Sequence, residues 1–181
     1  MIVIFSGSSG VGKNTVINEL LKQSVDYSLM PTFTTRSPRA GEKEGNPYFF
    51  VANEKFEAMI KKDEFYEYEL IHGEKYYGTP KSMVDKAAKL KKVFLKDIDV
   101  FGAINLKNLL KDKINIITIY LHIDKETLRK RLEGRGEKDI VKRLERFDLE
   151  FFYSGKYDYF IENVNLDDTV AKCKEIIENR R

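Results

Sequence analysis

An α/β fold, with a central parallel sheet flanked by helices, is predicted by three features of this 181-residue chain. The run IVIFS (2–6) is apolar throughout, as in a strand buried on both faces of a parallel sheet. A glycine-rich turn follows it, and a helical pattern follows the turn. The same alternation of strand and helix returns along the chain, which is how parallel sheets are built. Such sheets take their ligands beyond the carboxyl ends of the strands.

After Gly12, residues Val16, Ile17, Leu20 and Leu21 mark one face of a first helix. Between Pro31 and Gly78 the texture changes to tyrosine and phenylalanine, with short alternating stretches (FYEYELI, then KYYG) and turns such as HGEK. That segment reads as a small, mainly antiparallel insert carrying one helix near 54–62. VFLKDI (93–98) reads as a strand, followed by a helix through Ala103, Leu106, Leu109 and Leu110. INIITIYLHI (114–123) is the most β-rich run. Asp124 is placed to cap a helix containing Thr127, Leu128 and Leu132. The segment 129–146 packs arginine around Gly134 and Gly136. YDYFIE (157–162) supplies a last strand and 167–179 a last helix. One domain is expected, with its core at about 1–31, 79–123 and 154–181, the insert at 32–78 and a helical lid at 124–153. Insert and lid would act as two closing flaps.

Hydrophobic residues make up 42% and charged residues 34%, a balance that lets a chain of this length bury a core. A formal charge of +3 is too small to argue for nucleic acid, and suits anionic small molecules if the excess sits in a cleft. MIVIF is too short for a signal-peptide core or a membrane span, and no later run is long enough. The lone Cys173 cannot form an internal disulfide and reads as a structural residue in a reducing compartment. A cytoplasmic location with no membrane, nucleic-acid or protein partner is the expectation.

GSSGVGKNT (7–15) departs by one letter from the phosphate-binding pattern G-x-x-x-x-G-K-[ST]. Position 14 is Asn, and the hydroxyl arrives one residue later as Thr15. In such a loop the backbone N–H groups of Gly7, Ser8, Ser9, Gly10, Val11 and Gly12 turn inward around phosphate oxygens, and the helix N-terminus adds positive potential. Lys13 reaches the β- and γ-phosphates of a nucleoside triphosphate. A chance glycine-rich turn would need neither the strand before it nor the lysine. Asn14 is expected to give a weakened or water-mediated Mg²⁺ contact, and Thr15 to reach a phosphate. Asp97 ends its strand, where an acid either orients metal-bound water or is an ordinary strand-end residue.

In TFTTRSPRAGE (32–42), Arg36 and Arg39 stand beside Thr32, Thr34 and Thr35, with Tyr48 shortly after. Two guanidiniums and hydroxyls make a fork for a phosphate dianion. A solvated basic loop would look the same, and these residues alone leave both readings open. His72 and His122 are isolated and read as structural, since a metal would lack further ligands.

Taken together these stretches resemble the guanylate kinases over nearly the whole chain. The marks are SGSSGVGK (6–13), TTRSPRAGE (34–42), YFFV (48–51), EFYEY (64–68), YYGTP (76–80), DID (97–99), RLEGRG (131–136) and IVKRL (140–144). The resemblance implies a P-loop nucleoside monophosphate kinase fold and transfer of the γ-phosphoryl group of ATP to GMP, with Mg²⁺. It also implies that Thr32, Arg36, Arg39, Tyr48 and Tyr77 hold the GMP phosphate, while Glu67, Thr79 and Asp99 read guanine. Arg131, Arg135 and Arg143 match the arginines that the family's lid brings over the triphosphate, and Asn163 an asparagine near adenine. Arg129 and Arg146 read as a solvated helix face. The chemistry of Glu67 agrees: guanine offers N1–H and N2–H₂ side by side to a carboxylate, and adenine has no such donor pair. The alternative for Glu67 is an exposed strand residue paired with a lysine.

The chain departs from the family pattern at several places. Besides Asn14, Lys96 stands in a strand that is usually apolar, and is expected to pair with an acid or face a cleft. Phe101 replaces the usual glutamine and Val164 an aspartate, and the stretch between GRG and IVKRL is short. Two rival functions remain for such a chain: a catalytically silent, protein-binding relative, and a P-loop kinase for another acceptor such as a sugar phosphate. The first predicts a broken loop or lost lid arginines, and the second lacks a reason for Glu67 and the TTR block.

Overall fold

The structure, a computed structural model, describes residues 1–39, 41–71, 75–137 and 139–181. The chain opens with β1 (Ile2–Ser6), α1 (Lys13–Gln23) and β2 (Tyr27–Leu29). Next come β3 (Thr32–Thr34), β4 (Lys43–Glu44), β5 (Pro47–Phe50), α2 (Asn53–Lys61), β6 (Phe65–Ile71) and β7 (Lys75–Pro80). They are followed by α3 (Lys81–Lys89), β8 (Val93–Asp97), α4 (Val100–Leu110) and β9 (Ile116–His122). The rest is α5 (Lys125–Gly134), α6 (Ile140–Phe152), β10 (Tyr159–Glu162) and α7 (Leu166–Arg180).

The first sheet has the order β10-β9-β1-β8-β2, and every pairing in it is parallel. From β1 the chain builds β2 and β8 on one side, then crosses to β9 and β10 on the other. Connections that diverge this way leave a crevice at the strands' carboxyl ends, beyond β1 and β8. Alternation along β1 explains the two-sided burial. Val3 and Phe5 pack with α1, α5, α6 and α7, while Ile2 and Ile4 pack with α3 and α4. Cys173 is fully buried in the α7 layer, and burial pushes its thiol up to about 12. No helix among the described residues is long and apolar enough to cross a membrane.

A second sheet, in the order β4-β5-β3-β7-β6, carries its own small core of Phe56, Met59 and Phe65, with Phe56 stacked on Phe65 at 4.5 Å. It is mixed, where the sequence suggests a mainly antiparallel insert. The β6–β7 and β7–β3 pairings are antiparallel, but β3–β5 and β5–β4 are parallel. The loop after Thr34 carries the chain back past its own start, so β5 must run in the direction of β3. His72 and the rest of the HGEK turn up to position 74 lie outside the described residues.

Local differences have simple causes. Ala103, Leu106 and Leu110 are fully buried, whereas Leu109 is 55% exposed because it sits about 60° beyond Leu106, at the edge of the helical stripe. Helix α3 escapes notice in the sequence because only Val84 and Ala87 are buried among its charges. Asp124 caps α5 as expected, accepting from the Thr127 N–H at 2.8 Å.

Candidate active site

The crevice beyond β1 and β8 is a cleft of about 370 Å³, within the range of small-ligand sites. Its floor is the loop between β1 and α1. Gly7 has φ 130°, and a Cβ there would lie 2.2 Å from the Leu121 carbonyl oxygen, so β9 itself demands glycine. Gly12, at φ 106°, caps α1 with no side-chain hydrogen bond. The first N–H groups of α1 therefore lack a side-chain partner at the edge of the cleft, as anion sites require. Lys13 Nζ donates to the carbonyls of Gly7 (2.6 Å) and Ser8 (3.3 Å), and lies 3.9 Å from Asp97 Oδ1. Gly7, Ser9, Gly10, Gly12, Lys13, Asn14 and Thr15 line the cleft, while Ser8 and Val11 are buried.

Arg131 and Asn163 hold this loop from behind. Arg131 Nη1 (2.9 Å) and Asn163 Nδ2 (2.7 Å) both donate to the Val11 carbonyl, and Arg131 Nη2 donates to the Asn163 carbonyl at 3.1 Å. Neither residue is among those lining the cleft. Arg131, expected with the lid arginines over the triphosphate, is thus drawn to two backbone carbonyls that only the folded α5 and β10 bring within its reach.

The opposite wall comes from the second sheet and the end of β8. Thr32, Arg36, Arg39, Tyr48, Glu67, Tyr77, Asp97 and Asp99 all line it. On β6 the alternation puts Glu67, Glu69 and Ile71 half-buried on one face, with Tyr68 and Leu70 exposed on the other. Thr79 is fully buried behind Glu67 and donates its hydroxyl to that carboxylate. Burial raises the Glu67 carboxyl above its ordinary range, opposed first by the Lys96 ammonium. Asp99 caps α4, accepting from the N–H groups of Phe101 (2.9 Å) and Gly102 (3.1 Å). Burial, then the neighbouring Asp99 carboxyl, holds Glu69 above the ordinary carboxylate range, against the pull of Arg146.

The guanidiniums of this wall are already engaged by carboxylates. Arg36 Nη2 reaches both oxygens of Glu42 at 2.9 Å and stands 5.2 Å over the Tyr48 ring. Tyr48 donates its hydroxyl to Asp97 Oδ2 at 3.2 Å. Arg39 pairs at 3.1 Å with Glu137, which also pairs at 2.9 Å with Arg143. Arg143 further bonds the Ser9 hydroxyl, tying α6 to the loop. Arg135 lines the cleft without an ion pair among the described residues.

Two sequence expectations need correction or completion here. Arg129 is exposed, but Arg146 is not on a solvated face: it lines the cleft, 2.9 Å from the buried Glu150 and 3.8 Å from Glu69. Phe147 and Leu144 turn that face of α6 inward and carry Arg146 with them. Lys96 does neither of the two things expected of it, because among the described residues it forms no ion pair and does not line the cleft. It is fully buried, donates to Thr32 Oγ1 at 2.7 Å, and is pushed down to about 8 by burial against the pull of Glu67, Asp97 and Asp99. Glu42, Arg146 and Glu150 line the cleft and were missed by sequence reading, as were Glu69 and Glu137, which pair with its arginines. For Glu69 the signal was present, since it repeats two residues after Glu67 on one strand face.

Among the described residues no group of three or more His, Cys, Asp or Glu could hold a metal by itself. His122 packs against the rings of Phe147, Phe151 and Phe160, and burial lowers its imidazole below the ordinary range. Phe101 packs on Tyr153, with ring centroids 5.0 Å apart, and Val164 is exposed.

A family model described as guanylate kinase matches residues 1–180. A guanylate kinase of Fusobacterium nucleatum subsp. nucleatum is 40% identical over 181 residues, covering 98% of this chain and 96% of its own. One from Prochlorococcus marinus subsp. pastoris is 39% identical, covering 98% and 97%. Among solved structures, the guanylate kinase from Anaplasma phagocytophilum superposes with a TM-score of 0.77 at 27% identity, over 99% of this chain and 84% of that one. A shikimate kinase from Bacteroides thetaiotaomicron shares the fold at a TM-score of 0.54 and 12% identity. With a match over nearly its full length to that model, and relatives at this level of identity, the chain belongs to the guanylate kinase family.

Proposed function

We infer that the chain transfers the γ-phosphoryl group of ATP to GMP, and to dGMP, giving ADP and GDP. The observation that carries this reading is one cleft in which the loop bearing Lys13 faces Arg36, Tyr48 and Glu67 across the ends of β1 and β8. ATP lies on loop 7–15, with its phosphates on the α1 N-terminus. GMP lies against the second sheet, its phosphate on Thr32, Arg36, Arg39, Tyr48 and Tyr77, and its base on Glu67 and Asp99, with Thr79 acting through the Glu67 carboxylate it holds. Residues 32–78 form the GMP-binding insert and 124–153 the lid, set on a core of the remaining residues. Asn163 and Arg131 act on the ATP side through Val11, whose carbonyl they hold.

Arg36, Arg39 and Arg143 exchange carboxylate partners for phosphate oxygens when nucleotides bind, since Glu42 and Glu137 occupy the same donors. Lys13 likewise leaves two loop carbonyls for the triphosphate. Charge spreads over the equatorial oxygens of the moving phosphoryl group, and Lys13, Arg135 and Arg143 are the cations placed to stabilise it. No general base is needed, because the attacking phosphate of GMP is already anionic at neutral pH. Closure of the lid excludes water, so the group goes to GMP and is not hydrolysed.

One carboxylate and one amide, Asp97 and Asn14, line the cleft beside the loop. That sparse set fits Mg²⁺, which keeps several waters and binds chiefly to nucleotide phosphates. Asn14 and Asp97 would hold the waters of an Mg²⁺ bound with ATP, which would neutralise phosphate charge there. An Asn14→Ser variant is expected to lower the half-saturating Mg²⁺ roughly tenfold, the low end for outer-ligand changes. An unaltered Mg²⁺ titration removes residue 14 from the metal's surroundings.

The reading is tested by coupling ADP release to GMP, dGMP, AMP, UMP and CMP in turn. Turnover with the two guanine nucleotides alone is expected. A folded sample silent with all five overturns it and favours a protein-binding relative, against which the retention of Lys13, Arg36 and Arg143 at the cleft already argues.

A further inference from the structure

Lys96 has no part in the scheme above, yet it is the one lysine among the largest fully buried side chains. On β8 it shares a face with Phe94, and its register partner on β1 is Ile4. Both of those neighbours belong to the apolar layer under α3 and α4. An ammonium in such a place is costly unless it is paired and hydrogen-bonded. Its one hydrogen bond runs to Thr32 Oγ1 at 2.7 Å, on the wall of the cleft. The acids acting on it are Glu67 from β6, Asp97 from its own strand end and Asp99 from the cap of α4. All three also line the cleft, so Lys96 stands directly behind the surface that faces the acceptor nucleotide.

We propose that Lys96 is a positioning residue for the acceptor nucleotide, placing positive charge behind the Glu67 carboxylate that meets the base and fixing the Thr32 hydroxyl as a donor toward the phosphate. Three carboxylates around one pocket raise one another's proton affinity, and a buried cation behind them opposes it. For Glu67 the opposing influence of Lys96 is the largest of those that counter burial. Thr32 follows from valence: a hydroxyl that accepts from an ammonium has its single hydrogen left to give. Its nearest protein acceptor is the Asp97 carbonyl at a long 3.5 Å, a bond easily exchanged for a phosphate oxygen. One side chain that touches no substrate thus acts on both ends of the acceptor.

This inference rests on the GMP-kinase reading, and the experiment separates the two. Lys96→Met, Glu67→Gln and the double variant are compared with the wild type in KM for GMP, KM for ATP, kcat and thermal midpoint. Lys96→Met is expected to raise the GMP KM about tenfold, the low end for losing support from a charged group, with ATP KM and kcat within about threefold. Its midpoint is expected to fall, because removing one member of a buried charge cluster leaves the facing carboxylates uncompensated, and the KM split is what distinguishes positioning from scaffolding. In the Glu67→Gln background the same substitution should raise the GMP KM clearly less than in the wild type, since only the Thr32 contact is then left to lose. Lys96→Gln, which keeps a donor and loses the charge, carries the test if the methionine variant does not fold, and should also raise the GMP KM at least about threefold. An unchanged GMP KM in the folded variants overturns the proposal, as does the full loss persisting without the Glu67 carboxylate. A wild type that phosphorylates no guanine nucleotide removes the reading beneath it instead.

Discussion

Lys13→Met is expected to lower kcat by about a thousandfold or more while leaving the protein folded. Methionine keeps most of the apolar stem of lysine and removes the charge with its hydrogen-bond donors. In the free protein that charge is held by the carbonyls of Gly7 and Ser8, inside the loop that receives the triphosphate. A single preorganised donor at a developing oxyanion is worth roughly a hundred- to a thousandfold, and a full cation on a moving phosphoryl group more. A thousandfold corresponds to about 4 kcal/mol of transition-state stabilisation. The structural loss is small by comparison, since an ordinary intramolecular hydrogen bond nets about 1 kcal/mol. The thermal midpoint should therefore move by a few degrees at most, while the coupled assay loses its signal. A variant retaining a tenth of wild-type turnover would show that the loop amides alone carry the phosphates.

Glu67→Gln should collapse the preference for guanine without abolishing transfer. The wild-type carboxylate is pinned by the Thr79 hydroxyl, half-buried, and faces the cleft from β6. Glutamine turns one of its two acceptors into a donor, which then meets a donor of guanine. Hydrogen bonds to charged groups are worth about 1.5–3 kcal/mol each, so losing one and opposing another lowers kcat/KM for GMP by roughly a hundredfold or more. AMP never gained from the carboxylate, and its kcat/KM should change by no more than a few-fold. The measurement is the ratio of the two constants in wild type and variant. Equal losses with both acceptors would assign Glu67 to scaffolding.

Much of the frame could be read from neighbouring residues. The apolar run before the glycine loop, the 3.6-residue spacing of Val16, Ile17 and Leu20, and the capping Asp124 are local patterns, and local patterns are what strands, helices and caps respond to. Helix α3 and the parallel β3–β5 pairing were not legible in the same way. The first has too thin an apolar stripe, and the second depends on where a loop returns. The residue types gathered at the cleft were legible as well, because the loop, the TTR block and the arginine-rich segment each carry their chemistry in a short motif.

Which carboxylate meets which guanidinium was a different matter. Glu137 binds Arg39 from about a hundred positions away, and Lys96 reaches Thr32 across 64. Arg131 was drawn behind the loop, and Arg146 into the cleft, by backbone and apolar contacts between separate elements. Side-chain types and spacings suffice to specify a phosphate-binding loop on a parallel sheet, because hydrophobic period and backbone φ act over a few residues. Charge pairing acts through space at distances of a few ångströms, and only the packed chain determines which charges come that close.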